Sequence, residues 1–143
     1  MEKFGVEKVM ENIRTEISQK QLNSGMLSFT TLYYRKMIEF FKRQSELIIF
    51  GAGKYGTIVA EDLLQQGFDT IKCICDNKAA VDPIHGINVL LPKDAVKLYP
   101  NACYVIVSKL YENEMLSQLI HLGIQIDNAR IFNLERTGLI PVF

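Results

Sequence analysis

Apolar positions recur along the first part of the chain at three- and four-residue steps. Val6, Val9, Met10, Ile13 and Ile17, with Glu and Lys between them, predict an amphipathic helix over residues 3–20. The stretch Q-L-N-S-G at 21–25 breaks the pattern, and Ser28 or Thr30 can cap a second helix. That helix is expected to run through Leu32, Tyr33, Met37, Phe40 and Phe41 to about Arg43. Leu27, Tyr34 and Ile38 make a second side apolar, so the helix is expected to have two neighbours. One would be the domain that follows; the other would be the first helix or a second subunit.

From Glu46 the pattern changes to alternating strands and helices. Leu47–Phe50 is wholly apolar, as a parallel strand covered on both faces should be. Residues 54–66 predict a helix with Gly56, Val59, Ala60 and Leu63 on one side, ended by Gly67. Further strands are expected at 71–75, 87–91, 103–107 and 129–133. Further helices are expected from Pro92 to Leu98 and over 111–122, the latter with Leu116, Leu119 and Ile120 inward. The order β-α-β-β-α-β-α-β predicts an α/β, Rossmann-like, mainly parallel sheet with helices on both faces, preceded by an N-terminal helical segment. The expected division is a helical segment at 1–45 for packing or oligomerisation, a nucleotide-binding domain at 46–136, and an apolar tail at 137–143. The tail ends G-L-I-P-V-F, and reads as a docking element or the stump of a longer protein.

Composition narrows the class. In 143 residues, 48% apolar and 22% charged positions suit one folded domain with a real core. Net charge is zero, split as eight basic against five acidic residues in 1–45 and eight against eleven in 46–143. So mild a split leads us to expect no nucleic-acid partner. No apolar run approaches the ~20 residues that span a bilayer, and the charged N-terminus lacks a signal peptide's apolar stretch. These features place the chain in the cytoplasm. The basic aromatic stretch Y-Y-R-K-M-I-E-F-F-K-R has a narrow polar face, which favours packing over contact with a membrane. Cys73, Cys75 and Cys103 lack metal-ligand spacing and read as reduced core thiols.

Candidate chemistry concentrates at L-I-I-F-G-A-G-K-Y-G-T, residues 47–57, where Gly51, Gly53 and Gly56 form G-x-G-x-x-G. Alone that spacing is a weak signal. Here it follows an apolar strand, opens an amphipathic helix, and precedes a strand ending at Asp76, 25 positions after Gly51. Gly51 would allow the sharp turn, Gly53 would let phosphate approach the backbone, and Gly56 would let helix and strand come close. Phosphates would meet the free N–H groups at the helix start, with Lys54 and Tyr55 beside them. The P-loop alternative fails, since Tyr55 stands where Ser or Thr is needed and the glycine spacing is too short. Asp76 suits a free ribose hydroxyl and repels a 2′-phosphate, which favours NAD over NADP. A sheet domain that keeps its glycine turn for packing alone, and binds nothing, stays open as an alternative.

The runs I-I-F-G-A-G-K-Y-G, C-I-C-D-N-K, H-G-I-N-V-L-L-P-K-D and Y-V-I-V-S-K resemble a family of small Rossmann-like domains. These occur at the front of bacterial nucleotide-sugar epimerases and dehydratases, in sugar N-acetyltransferases of surface-polysaccharide synthesis, and beside SAM-dependent methyltransferases. The resemblance covers about residues 46–134. It implies NAD or a UDP-sugar at the glycine loop, with Asp76-Asn77 at the ribose or base and Ser108 lining the same crevice. Asn77 stands where a second Asp is common in that family. The resemblance also implies a link to sugar or polysaccharide metabolism, and a domain that in many members is not the catalytic one.

A catalytic set is harder to find. None of the six tyrosines has a lysine four positions on, so the short-chain oxidoreductase pair is missing. His85 falls in a turn signalled by Pro83 and Gly86, and His121 near a helix end, where it suits the dipole. Lys109 and Tyr111 are contact candidates only. Three readings follow: a nucleotide-binding module without complete machinery, a small NAD-dependent oxidoreductase or epimerase completed by another subunit, or a helix-mediated interaction domain with a vestigial loop. The helices at 1–43 are expected to support a homodimer.

Overall fold

The computed structural model describes residues 20–78 and 82–137, with side chains along the first helix from residue 31 onward. In chain order its main elements are α1 (Lys20–Lys42), β1 (Leu47–Phe50), α2 (Lys54–Gln65), β2 (Ile71–Cys75), β3 (Val89–Leu90), α3 (Pro92–Leu98), β4 (Cys103–Ile106), α4 (Glu112–His121) and β5 (Ala129–Ile131). Short 3₁₀ turns flank β5 at Ile126–Asn128 and Leu134–Arg136. The strands form one sheet in the order β3-β2-β1-β4-β5, every pair parallel. This is the Rossmann order, in which the chain reverses its direction of travel between β1 and β4.

Strand alternation divides the core in two. Leu47, Ile49, Ile74 and Val105 face α1 and α2, where they meet Ile38, Phe41, Val59, Ala60 and Leu63. Ile48, Phe50, Cys73, Cys75, Tyr104 and Ile106 face the other way, toward Ala95 of α3 and Leu119 of α4. Successive residues of a strand point to opposite faces, so a run with no polar position needs cover on both. The expected inward set of α2 is the set that is buried: Gly56, Val59, Ala60 and Leu63.

Several boundaries differ from expectation. The break at 21–25 is absent, and α1 continues through those residues. A single glycine costs a helix only ~1 kcal/mol, which the packing of later turns offsets. Burial of Ile38 and Phe41 supplies roughly 2 kcal/mol each. The third strand shortens to Val89–Leu90 because Ile84 and Ile87 exchange backbone hydrogen bonds of 2.9 and 2.8 Å across His85 and Gly86. Both central residues of that turn have positive φ, at 49° and 81°. Ile120, expected inward, is 41% exposed, while Leu119 takes the core position. The first predicted helix, most of the apolar tail and residues 79–81 lie outside the described residues.

Two tyrosines pin α1 to the sheet domain. The Tyr33 hydroxyl donates to the Ile131 carbonyl (3.3 Å) and accepts from the Asn133 amide (3.0 Å), which occupies backbone groups on the open side of β5. The Tyr34 hydroxyl donates to Asp62 of α2 (2.7 Å) and accepts from Gln66 at the end of that helix (2.9 Å). Arg130 stacks over Phe40 at 4.4 Å and Arg136 over Tyr33 at 4.7 Å along the same seam.

The three cysteines are buried thiols. Burial pushes Cys73 up to about 12 and Cys103 up to about 11, and raises Cys75 further still, so all three stay protonated and unreactive at neutral pH. Among the described residues no cluster could hold a metal ion, and no helix is long and apolar enough to cross a membrane.

Candidate functional site

The glycine loop leaves β1 at the carboxyl edge of the sheet. Gly51 has φ 128°, and a Cβ there would stand 2.5 Å from the Val107 carbonyl oxygen. Its amide donates to the Cys75 carbonyl at 2.8 Å, which extends the β1–β2 ladder by one residue into the turn. Gly56 sits on the buried side of α2, so close to Gly51 that any Cβ would overlap the Gly51 carbonyl oxygen. Both glycines are therefore dictated by close backbone approach. Gly53 is different: a Cβ there would meet no protein atom within 4 Å. Its side faces outward over the start of α2, where a phosphate would come closest.

Gly53 is the N-cap of α2, and no side chain caps the helix. The first-turn amides of a helix have no intrahelical acceptor and carry the positive end of the dipole. Lys54 is exposed at the first position, and Tyr55 is half-buried. Asp76, at the end of β2, closes the arrangement. Its Oδ2 accepts from the Ala52 amide at 2.8 Å, inside the glycine loop, and its Oδ1 accepts from the Lys78 amide at 2.7 Å. The spacing argument thus brings Gly51, Gly53, Gly56 and Asp76 to one place.

The remaining predicted residues spread along the crevice. The side chain of Asn77 exchanges two hydrogen bonds with Gln118 of α4, at 3.0 and 2.7 Å. Ser108 follows β4, and its hydroxyl accepts from the amides of Leu110 (3.3 Å) and Tyr111 (2.9 Å). It shapes the β4–α4 turn and lines a cleft with Tyr55, Lys109, Glu112, Asn133 and Glu135. Lys109 and Glu135 form an ion pair of 3.0 Å at this cleft, and the bond to Glu135 raises the Lys109 pKa. The cleft measures about 130 Å³. That is well below the ~300–1,000 Å³ that encloses a drug-sized ligand, so it can seat one end of an extended ligand only. Leu110 and Tyr111, 76% and 61% exposed, stand on the loop beside it.

Sequence reasoning named Tyr55 and Ser108 and missed Gln118, Glu112, Asn133 and Glu135. Asn133 and Glu135 follow β5, and the rule that ligands sit beyond the carboxyl ends of strands pointed to that position. Gln118 carried no such signal, because it lies two turns inside α4. The histidines stay apart from this chemistry. His85 is exposed in the turn before β3, and His121 bonds the Ser117 carbonyl through Nδ1 at 2.9 Å.

No family model matches the chain, and no curated protein matches it. Among solved structures it is similar to the crystal structure of RSP, a Rex-family repressor, with a TM-score of 0.47 and 16% identity over 91% of this chain and 82% of that one. The expectation that nucleic acid is no partner is corrected at this point. The matched protein is a repressor, and a charge split of +3 and −3 within a neutral chain is no ground for excluding such a partner.

Proposed function

We propose that this domain binds a nucleotide, with phosphate over the first turn of α2 and ribose at Asp76, and that the ligand is NAD. The observation that carries the reading is the 2.8 Å bond from the Ala52 amide to Asp76 Oδ2. It ties the helix start to the acid at the end of β2, the two places that a ribose and its phosphates must touch at once. Each carboxylate oxygen accepts more than one hydrogen bond, so Asp76 keeps capacity for ribose hydroxyls while it holds the loop. A 2′-phosphate would meet that fixed negative charge, which disfavours NADP.

A nucleotide-sugar is the second ligand to consider, and with it a role in sugar or polysaccharide metabolism. That reading rests on the sequence resemblance alone. Among the described residues no nucleophile, base and orienting group stand in line, so binding is the function proposed and not a reaction. Assembly into a homodimer would use parts of 1–43 other than the Ile38 and Phe41 side of α1, which the core already occupies.

Calorimetric titration with NAD, NADP, UDP and a UDP-sugar tests this. Saturable heat from NAD, with NADP at least tenfold weaker, supports the reading. Preference for the UDP-sugar would move it to the second ligand. No heat from any of the four at millimolar concentration would sink it.

A further inference from the structure

The ladder between β4 and β5 ends at Phe132, whose amide donates to the Ile106 carbonyl at 2.9 Å. Beyond it the chain leaves the sheet and turns through the 3₁₀ segment Leu134–Arg136. The next amide, that of Asn133, donates to the Tyr33 hydroxyl of α1 at 3.0 Å, and the same hydroxyl donates to the Ile131 carbonyl at 3.3 Å. A tyrosine of α1 therefore holds this segment where the sheet stops holding it.

The segment so held is one side of the cleft at the β4–β5 end. Phe132, Asn133, Leu134 and Glu135 all line that cleft, and Tyr33 itself does not. The Phe132 ring stacks on the Tyr33 ring, with centroids 6.3 Å apart and planes inclined by 24°. Asn133 Oδ1 accepts the Arg136 amide at 3.2 Å and so caps the 3₁₀ turn, which carries Glu135, the partner of Lys109. The Arg136 guanidinium in turn lies 4.7 Å from the centre of the Tyr33 ring. One side chain thus meets the segment at Ile131, Phe132, Asn133 and Arg136. Loss of its hydroxyl would leave the Asn133 amide without its acceptor, and the segment would gain by shifting toward another. A ligand that touches both ends of the crevice binds best when both are already in place.

We propose that Tyr33 is a positioning residue for the β4–β5 end of the ligand site. Acting through Phe132 and Asn133, it fixes the side against which the part of the ligand beyond the phosphates rests. This rests on the nucleotide reading above, and it makes α1 part of the binding unit. If Tyr33 served only to pin the helix, its loss would not distinguish a ligand that reaches the cleft from one that stops short of it.

The test compares ADP, which stops at the ribose and phosphate end, with NAD, which continues beyond it, on the full chain and on Tyr33→Phe and Tyr34→Phe. Tyr34→Phe is the control, since it removes the other α1 hydroxyl, whose partners Asp62 and Gln66 do not line the cleft. The parent should bind NAD more tightly than ADP. Tyr33→Phe should weaken NAD roughly fivefold, the worth of one hydrogen bond, and leave ADP unchanged. Tyr34→Phe should change neither, with thermal melting curves confirming that each variant is folded. In the parent, exchange of the Asn133 amide proton should slow with NAD and not with ADP, a measurement that needs no variant. Equal losses of NAD and ADP in Tyr33→Phe, no loss of either, the same NAD-specific loss in Tyr34→Phe, or equal Asn133 exchange with both ligands overturns the proposal. So does a parent that binds NAD no more tightly than ADP. Binding of neither compound by the parent sinks the NAD reading itself, and this inference with it.

Discussion

The two ends of the crevice are built differently. At the β1–β2 end the geometry is set by backbone: Gly51 against Val107, Gly56 against Gly51, and Asp76 bonded to two amides. At the β4–β5 end it is set by side chains: the Lys109–Glu135 ion pair, the Ser108 turn, and the exposed Leu110 and Tyr111. Backbone contacts admit almost no substitution, whereas exposed side chains can be exchanged at little cost. Under the proposed function, the first end would hold the invariant part of a ligand, its phosphate and ribose, and the second the part that varies.

Substitutions should expose that contrast. Gly56→Ala forces a Cβ into the Gly51 carbonyl and should destabilise the domain by about 3 kcal/mol in denaturant unfolding, with loss of nucleotide binding. A cost below about 1 kcal/mol would mean that loop and helix are free to part. Asp76→Ala removes the acceptor for Ala52 and Lys78 and should cost about 2 kcal/mol, together with at least a tenfold loss in NAD affinity.

A smaller effect is expected beneath α1. Burial raises the Asp62 carboxyl above its ordinary 3.8, while bonds from Tyr34 and Gln66 pull it back. The folded state holds this proton more tightly than the unfolded chain does. The contribution is therefore full below 3.8 and is lost as pH rises through the raised folded value. Asp62→Asn should remove that decline, so parent and variant stability curves should diverge as pH rises from acid toward neutrality. Parallel curves would show that the carboxyl is not strained. Least of all, Lys109→Ala should leave the denaturant unfolding midpoint nearly unchanged, because an exposed ion pair contributes little. A larger loss would show that the second end is as tightly determined as the first.

Much of the first end was legible because close packing leaves marks in composition. Only glycine fits at Gly51 and Gly56, and an acid at the end of β2 is conspicuous after I-K-C-I-C. The apolar runs gave the sheet for the same reason, since strands covered on both faces admit no polar residue. What stayed hidden depends on contacts between residues distant in sequence. The Tyr33 bonds to β5 span 98 and 100 positions, and the Asn77–Gln118 pair spans 41. Neither leaves a periodic trace. The unbroken α1 was missed because a local break signal at 21–25 was set against a weak propensity term. Net charge was no ground for excluding nucleic acid, because it describes a chain and not a surface.

The most direct test of the central claim follows the backbone amides of Gly53, Lys54 and Gly56 by NMR as NAD is added. The account predicts that all three shift together and saturate at one ligand concentration, as amides at the α2 N-terminus take up phosphate. NAD binding with these three resonances unmoved would contradict it.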